Sequence, residues 1–331
     1  MTINRTKTAT IAAALLIVVA VALTVLLTGW TNGLGSTERT GPGSDGTNRL
    51  GGRAADLELR VADFTSRFRE DSGYRGPSSE ERKAVAEGVA LLVDGQRPQA
   101  EKRLSDVDFT IRTITDGAVG RRYAEIADRT EDARSPRGWG RIYVDLSAPI
   151  RWSVQVPHPL TDLHTELLGV NVLRGAPGGV LVIAGAHREA GKGDAADVAH
   201  RTDSVFDAIC DELAERGMPA VQLHGFANAS APDHDAIAST GSGYLARVEG
   251  RVLADALRDR GFAVCRAWTR DCPLEGRSNV QGRKAEREDA PFLHVEFSNT
   301  VRTSPSRAAR AAEALRAVTG TWAVAALPPR N

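Results

Sequence analysis

The second half of the chain alternates short apolar segments with amphipathic ones, and this order limits the folds that it can adopt. The run "GGVLVIAGAHR" is apolar almost throughout, as in a strand buried on both faces of a sheet, and "DSVFDAICDELAERG" follows with helical spacing and ends at Gly217. The same two patterns recur toward the C-terminus, in "PAVQLHGF", "GYLARVEGRVLADALRDRG", "FAVCRAW", "PFLHVEFS" and "SPSRAARAAEALRAVTG". We therefore predict an α/β fold with three α/β/α layers and a mostly parallel central sheet, whose ligands bind at the carboxyl ends of the strands.

The region before this alternation has mixed periodicity. The segments "ADLELRVADFTSRF" and "SSEERKAVAEGVALLVDG" have helical spacing, and the second opens with the residues of a capping box. Strand patterns follow in "DFTIRTITD", "RRYAEIAD", "GWGRIYVDLS" and "RWSVQVPHP". We predict a helical and mixed accessory region over residues 54–145 and the main α/β domain over residues 146–331.

The N-terminus carries a long apolar segment. Residues 9–27, "ATIAAALLIVVAVALTVLL", contain no charge and are long enough to cross a bilayer. Arg5 and Lys7 precede the segment, which predicts a cytoplasmic N-terminus and an extracytoplasmic globular part. We predict a single-pass membrane anchor over residues 1–30 and a flexible linker over residues 31–53. If the segment is a cleaved signal peptide, the protein is secreted.

Charge and cysteine content restrict the partners and the compartment. The chain has 42 basic and 42 acidic residues, so its net charge gives no reason to expect a nucleic acid partner. In an oxidising compartment Cys265 and Cys272 can pair across a strand end, while Cys210 lies in a predicted helix as a buried thiol. Three cysteines offer too few soft ligands for a structural zinc site of the usual kind.

Polar residues stand at or near the ends of the predicted core strands. They are His158, His187, Arg188, His224 and Glu296. A strand buried on both faces has little use for an ionisable group unless that group is paired, bound to a metal or catalytic. Because parallel strands bring their carboxyl ends to one edge of the sheet, these side chains are expected to converge.

A catalytic zinc site uses neutral imidazoles, a carboxylate and an open position for water. His158 and His224 are the natural imidazole pair. Asp162, four residues after His158, is the preferred carboxylate, and Glu166 is the alternative one turn further on. The simpler interpretation is that Asp162 only caps the helix "TDLHTELLG", since no compact motif such as H-E-x-x-H is present.

The order of these segments resembles a known family pattern. "VPHPLTDLHTE", "AVQLHGF", "LEGRSNVQGR" and "FLHVEFSNTVR" are similar in sequence and order to motifs of poly-gamma-glutamate hydrolases and N-formylglutamate amidohydrolases. These families share the zinc carboxypeptidase-type fold, and the similarity extends from Val154 to the C-terminus. The resemblance implies one zinc ion held by His158, His224 and either Asp162 or Glu166.

The same resemblance implies that Glu296 is the general base of a zinc-dependent amide hydrolase. The expected substrates of an extracytoplasmic enzyme of this kind are cell-envelope peptides, gamma-glutamyl amides or other acyl-amino acids. Asn279, in "GRSNVQGR", resembles an Asn-rich loop that lies beside the pocket in the family.

Further residues are candidates for substrate binding. Arg188, Arg283 and Arg302 follow strands or lie near their ends, and any of them can hold a substrate carboxylate in a bidentate contact or form an ordinary ion pair. His187 and His200 are expected to face the same cleft. His187 is not a predicted ligand, because Glu189 follows it by two residues and not by the three of metallocarboxypeptidases.

Two other functions are compatible with the sequence. One is a catalytically inactive, membrane-anchored binding module on the same scaffold, with the helical region docking a partner. The other is a metal-free or serine hydrolase, which is disfavoured because no G-x-S-x-G motif occurs in a strand-turn-helix context.

Overall fold

The computed structural model describes residues 55–131 and 136–327. The predicted anchor (residues 1–30) and linker (residues 31–53) lie outside the described residues. Among the helices that are described, none combines the length and apolar character needed to cross a membrane.

The described residues form nine strands and nine α-helices, in an order close to the predicted alternation. The strands are β1 (Phe109–Thr115), β2 (Arg122–Asp128), β3 (Arg141–Asp145), β4 (Trp152–Val156), β5 (Gly179–Ile183), β6 (Ala220–Phe226), β7 (Ala236–Ser239), β8 (Val264–Arg266) and β9 (Phe292–Ser298). The helices are α1 (Leu57–Thr65), α2 (Ser79–Val93), α3 (Arg97–Ser105), α4 (Thr165–Gly175), α5 (Val205–Glu215), α6 (Arg247–Asp259), α7 (Val280–Arg287), α8 (Asn299–Thr303) and α9 (Pro305–Val324).

All strands of the described chain join one sheet in the order β1-β2-β3-β5-β4-β6-β9-β7-β8. The central strands β5, β4, β6 and β9 run parallel to one another, and β7 runs parallel to β8. The pairs β1–β2, β2–β3, β3–β5 and β7–β9 are antiparallel. The α/β fold is as predicted, but the whole sheet is mixed and not mostly parallel. Four of the five pairs among β4 to β9 are parallel, and the other antiparallel pairs involve β1, β2 and β3.

Two apolar cores lie on opposite faces of the sheet. Leu181 and Ile183 of β5 pack in one core with residues of α1, α4, α6 and α9. Val180 and Val182 of the same strand pack in the other, with residues of α2 and α5. Successive side chains of a strand point to opposite faces, so the continuous apolar run of β5 is explained by helices on both sides.

The predicted boundary between residues 145 and 146 lies inside this sheet. Strands β1, β2 and β3 come from the predicted accessory region and continue the sheet through the contact of β3 with β5. Helix α2 begins with the capping box that the sequence predicts. The side chain of Ser78 accepts from the Glu81 backbone amide, and the Glu81 carboxylate accepts from the Ser78 backbone amide. The described residues belong to one compact unit.

Cys265 and Cys272 form a disulfide with their Cα atoms 6.0 Å apart. The bond links the middle residue of β8 to the loop that follows the strand. Cys210 is a free, buried thiol in α5. The structure thus contains the pairing that the sequence left open.

Candidate metal centre

The strands at the centre of the sheet carry polar side chains on one face. In β6, Leu223 belongs to the core that contains α4, so its neighbours Gln222 and His224 point to the opposite face. Residues of β4 and β9 alternate in the same way, and the strand register places Gln155 beside Gln222 and Glu296 beside His224. A band of polar groups therefore crosses three neighbouring strands near their carboxyl ends.

The turn after β4 folds Asp162 back onto His158. The backbone amide of Asp162 donates to the carbonyl of His158 at 2.9 Å, and Leu160 and His164 both have a left-handed backbone with φ of 68°. Helix α4 has His164 at its N-cap without a side-chain capping bond, so Asp162 is not the helix cap that the simpler interpretation proposed. Its carboxylate is directed at the strand ends instead.

His158, Asp162 and His224 form a cluster of potential metal ligands. Within the described residues, each offers one ligand atom, and these atoms lie within 4.8 Å of one another. Asp162 Oδ2 lies 3.4 Å from His158 Nδ1 and 3.2 Å from His224 Nδ1, and it accepts from the Gly225 backbone amide at 3.2 Å. All three side chains are buried. The structure thus brings together the preferred ligand set of the sequence.

In both His158 and His224, Nε2 points away from Asp162 and contacts an oxygen atom. His158 Nε2 lies 2.7 Å from Asp197 Oδ1, and His224 Nε2 lies 2.8 Å from Gln222 Oε1. An ionised carboxylate can only accept, so His158 Nε2 carries the proton. This arrangement leaves Nδ1 of both rings facing Asp162, and histidine ligands of metal ions are commonly held by such outer contacts.

Burial and neighbouring charges set the protonation states of the cluster. Burial lowers the pKa of His224 to about 4, so its ring is neutral at pH 7. Burial also opposes the charged form of His158, but the Asp162 and Asp197 carboxylates outweigh it and raise the pKa. Burial favours the neutral form of Asp162, yet the two imidazoles hold its pKa well below the usual range. The cluster therefore contains an ionised carboxylate and a neutral imidazole, the forms that bind metals.

The donor set fits a zinc ion. Two imidazole nitrogens and one carboxylate oxygen are the ligands of many catalytic zinc sites, and three protein ligands leave a position for water. His158 Nδ1 is buried and has no hydrogen-bond partner among the described residues, although it faces the Asp162 carboxylate. A bound cation would satisfy this nitrogen and the carboxylate together.

Glu296 lies beside the cluster on the neighbouring strand. It is paired with His224 in the register of β6 and β9, and its Oε1 is 3.4 Å from Nε2 of His294. The His294 ring lies 4.5 Å from the ring of His224. Glu296 is thus a second buried acid next to the three potential ligands, where the sequence predicted the general base.

Asp197, which the sequence analysis missed, connects several predicted residues. Its carboxylate contacts His158 Nε2, Arg188 at 2.6 Å and His200 Nδ1 at 3.1 Å. Arg188 and His200 are partly solvent-exposed, and their shared contact with Asp197 places them next to the cluster. The loop "GKGDAADVAH" has no periodicity that would single out this aspartate in the sequence.

Two of the predicted site residues serve the structure around the cluster. Glu166, the alternative carboxylate, is not part of the ligand cluster; its Oε2 accepts from the Leu160 backbone amide at 3.4 Å. The guanidinium of Arg302 is buried and donates to three backbone carbonyls, those of Phe297, Leu163 and Phe226. The prediction that Arg302 holds a substrate carboxylate does not agree with these contacts, because its donors tie the turn after β4 to the ends of β6 and β9.

The other predicted substrate contacts also have local partners. Asn279 is buried, caps α7 by accepting from the Gly282 amide, and donates to Gln222 Oε1, so it does not face an open cleft. His187 is buried and its Nδ1 accepts from the Glu189 amide. Arg283 is exposed and its Nε donates to the carbonyl of Arg277.

A cavity of about 640 Å³ opens at the same edge of the sheet, beside the carboxyl end of β5. Gly185 and Ala186 form part of its wall, and aromatic and basic side chains form much of the rest: Phe64, Arg67, Phe68, Arg69, Tyr74, Arg75, Arg137 and Trp139. In the described part of the chain, the lining includes none of the three potential ligands. The three potential ligands therefore lie outside this cavity.

Asp207 of α5 is a buried carboxyl group behind the polar band. Burial raises its pKa to about 7, whereas an aspartate in an unfolded chain titrates near 3.9. Between these values the folded protein holds a proton that the unfolded chain releases, so stability falls as pH rises from about 4 to 7. We expect Asp207→Asn to remove this loss and to be more stable than wild type at pH 8 by about 2–4 kcal/mol, with little difference near pH 4.

Urea unfolding at both pH values measures the effect. Asp255→Asn, on the exposed face of α6, is the matched control and should leave the pH dependence unchanged. If Asp207→Asn has the same free energy of unfolding as wild type at both pH values, Asp207 does not have the raised pKa.

No family model matches the chain, and no curated protein matches it. The fold is compared with solved structures instead. The chain is similar to the N-formylglutamate amidohydrolase of Ralstonia eutropha JMP134, at 13% identity over 56% of this chain and 97% of that one, with a TM-score of 0.40.

Two further solved structures are similar at the same level. They are the succinylglutamate desuccinylase of Chromobacterium violaceum (16% identity, 68% of this chain and 77% of that one, TM-score 0.38) and a metallo-carboxypeptidase of Pseudomonas aeruginosa (13%, 69% and 68%, 0.36). TM-scores below 0.5 carry no argument about activity, so the site stands on its own geometry. By their names, these three structures are an amidohydrolase, a desuccinylase and a metallo-carboxypeptidase.

Proposed function

We propose that this protein is a zinc-dependent hydrolase that cleaves an amide bond in an acyl-amino acid or a peptide. The observation that carries the proposal is the convergence of His158, His224 and Asp162 within 4.8 Å, with both Nδ1 atoms facing the carboxylate. A binding scaffold that had lost catalysis would have no need to keep these buried polar groups pointed at one another.

The three residues would hold the metal, and the outer contacts would fix their orientation. Asp197 keeps the proton of His158 on Nε2, and the Gly225 amide fixes Asp162 Oδ2. A zinc ion, when bound, lowers the pKa of water and polarises the substrate carbonyl.

Glu296 is proposed as the general base. It is buried beside the cluster and projects from the strand next to His224. In this role its carboxylate accepts a proton from the attacking water and passes that proton to the nitrogen of the leaving amine. Both transfers occur at the same carboxylate, so one residue acts first as base and then as acid.

Arg188 is the proposed contact for a carboxylate on the substrate. Nη2 binds Asp197, while about a third of the side chain remains exposed next to the cluster. Acyl-amino acids, gamma-glutamyl amides and peptides with a free carboxylate all offer such a group.

The direct test combines metal analysis with hydrolysis. Purified protein should contain about one zinc ion per chain and release amino acid from a panel of N-acyl-amino acids and gamma-glutamyl peptides. A chelator should abolish the activity, and added zinc should restore it. Protein that takes up no zinc and hydrolyses nothing in the panel would rule the proposal out.

We further propose that the enzyme acts outside the cytoplasm, tethered by residues 1–30. The apolar run with Arg5 and Lys7 before it supports the anchor. The disulfide between Cys265 and Cys272 supports an oxidising compartment, because such bonds are rare in reducing ones.

The cavity beside β5 favours the alternative of a binding module. It is lined by aromatic and basic side chains and lies apart from the ligand cluster. Arg137 packs over Trp139 at 4.0 Å and pairs with Asp128, so part of this lining is itself structural. Ligand binding that survives chelation, in protein that has no hydrolase activity, would favour the binding module.

A further inference from the structure

We infer that Gln222 is a positioning residue that keeps the proton of His224 on Nε2 and so directs the lone pair of Nδ1 at Asp162. An imidazole without an imposed partner can carry its proton on either nitrogen, and only the unprotonated one binds a metal. Gln222 can impose the choice because its own orientation is fixed by two backbone groups, reached through Gln281 and Asn279.

The first of these backbone groups is the carbonyl of Val198. Gln281 Nε2 lies 2.9 Å from this oxygen, which can only accept, so the amino group of Gln281 must be the end that points there. Gln281 Oε1 is therefore the end that faces Gln222, at 3.1 Å from Nε2. It follows that Gln222 presents its amino group to Gln281 and its carbonyl oxygen to His224.

The second backbone group is the amide of Gly282, which can only donate. Asn279 Oδ1 accepts from it at 2.9 Å, so the other end of the Asn279 side chain is the amino group. That amino group donates to Gln222 Oε1. This route is independent of the first, and it gives Gln222 the same orientation.

The consequence for His224 follows from the hydrogen-bonding capacity of an amide oxygen. Gln222 Oε1 lies 2.8 Å from His224 Nε2 and can only accept, so Nε2 must carry the proton. His224 Nδ1 is then the unprotonated nitrogen, 3.2 Å from Asp162 Oδ2. All of these side chains are buried, where an unpaired polar group is costly, so a flip of any one amide is disfavoured.

Gln155 offers a matched control. It is a buried glutamine on β4, in register with Gln222, and its Oε1 accepts from Gln222 Nε2 at 3.0 Å. Among the hydrogen bonds of the described residues, Gln155 reaches neither the Val198 carbonyl, nor the Gly282 amide, nor Gln222 Oε1. Its replacement therefore removes a bond of similar kind without releasing the orientation of Gln222.

The test is the tautomer of His224 in metal-free protein, read from long-range proton–nitrogen correlation spectra of histidine labelled with nitrogen-15. The His224 signals are assigned by their loss in His224→Gln. We expect the Nε2–H form in wild type and in Gln155→Met. In Gln222→Met we expect the proton to move to Nδ1, where Asp162 accepts it, and zinc affinity to fall by about 10–100-fold.

Several results would overturn the assignment: an Nδ1–H tautomer in wild type, an unchanged tautomer in folded Gln222→Met, or an equal shift in Gln155→Met. The wild-type spectrum needs no variant, so the inference remains testable if Gln222→Met fails to fold. Only the predicted change in zinc affinity rests on the proposed function. Wild-type protein that binds no zinc contradicts that function and leaves the tautomer assignment standing, whereas zinc binding with the proton on Nδ1 contradicts the assignment alone.

Discussion

Replacing His224 with alanine should lower the zinc content of the purified protein from about one ion per chain to nearly none. The variant removes one of three predicted ligands and leaves His158 Nδ1 and the Asp162 carboxylate without the imidazole that faces them. Structural zinc sites with four ligands bind with about 10–16 kcal/mol, so a share of about 3 kcal/mol for one ligand predicts affinity at least about 100-fold weaker. Elemental analysis after dialysis, together with a zinc competition titration, measures the loss.

His234→Ala is the matched control for this change. His234 is partly buried near the end of the sheet opposite β1, where its Nε2 contacts Arg270 at 2.7 Å, and it is not a member of the ligand cluster. The control should keep its zinc and its thermal stability. Equal zinc content in the two variants, with both folded, would mean that His224 is not a ligand.

The parts of the fold that follow local periodicity could be predicted from the sequence. The apolar run of β5, the helical spacing of α5 and the capping box of α2 each fix an element through neighbouring residues. Strand direction depends on the path of the connection, which periodicity does not reveal, and this is why the antiparallel half of the sheet was missed. Strand β7 (Ala236–Ser239) has only four residues, too few for a pattern.

The candidate site was predictable to the extent that its residues stand at strand ends. His158 and His224 were chosen for that reason and Asp162 for its spacing of four residues from His158, and the structure brings the three together. Asp197 reaches the site from an irregular loop, and only the folded chain shows that it contacts His158. Spacing along the chain carries no information about such a partner.

One sequence signal for the polar band was present in the central strands. The segments "WSVQV", "AVQLHGF" and "FLHVEF" all alternate apolar and polar residues, although strands in the middle of a helix-covered sheet are usually apolar on both faces. This alternation places Gln222 in the same band as His224 and Glu296. A buried amide is tolerated where it is hydrogen-bonded, and Gln222 has four partners among the described residues: Gln155, Gln281, Asn279 and His224.

Glu296→Gln should separate metal binding from catalysis. Glutamine has nearly the same shape as glutamate but cannot accept a proton from water at neutral pH, so we expect the turnover rate to fall by about 100–10,000-fold. Glu296 is not one of the three predicted ligands, so the variant should keep its zinc and a similar KM. Stopped assays on the substrate found in the acyl-amino acid panel, with zinc measured on the same samples, test both expectations.

Glu189→Gln is the control for the loss of an acidic group at this edge of the sheet. Glu189 is exposed and follows β5 by a few residues, so its replacement should change neither zinc content nor turnover. If Glu296→Gln keeps wild-type turnover, another group must take the proton from water, and His294, 3.4 Å from Glu296, would be the next residue to replace. If Glu296→Gln loses its zinc together with its activity, Glu296 contributes to the metal site itself, and the ligand set would contain two carboxylates.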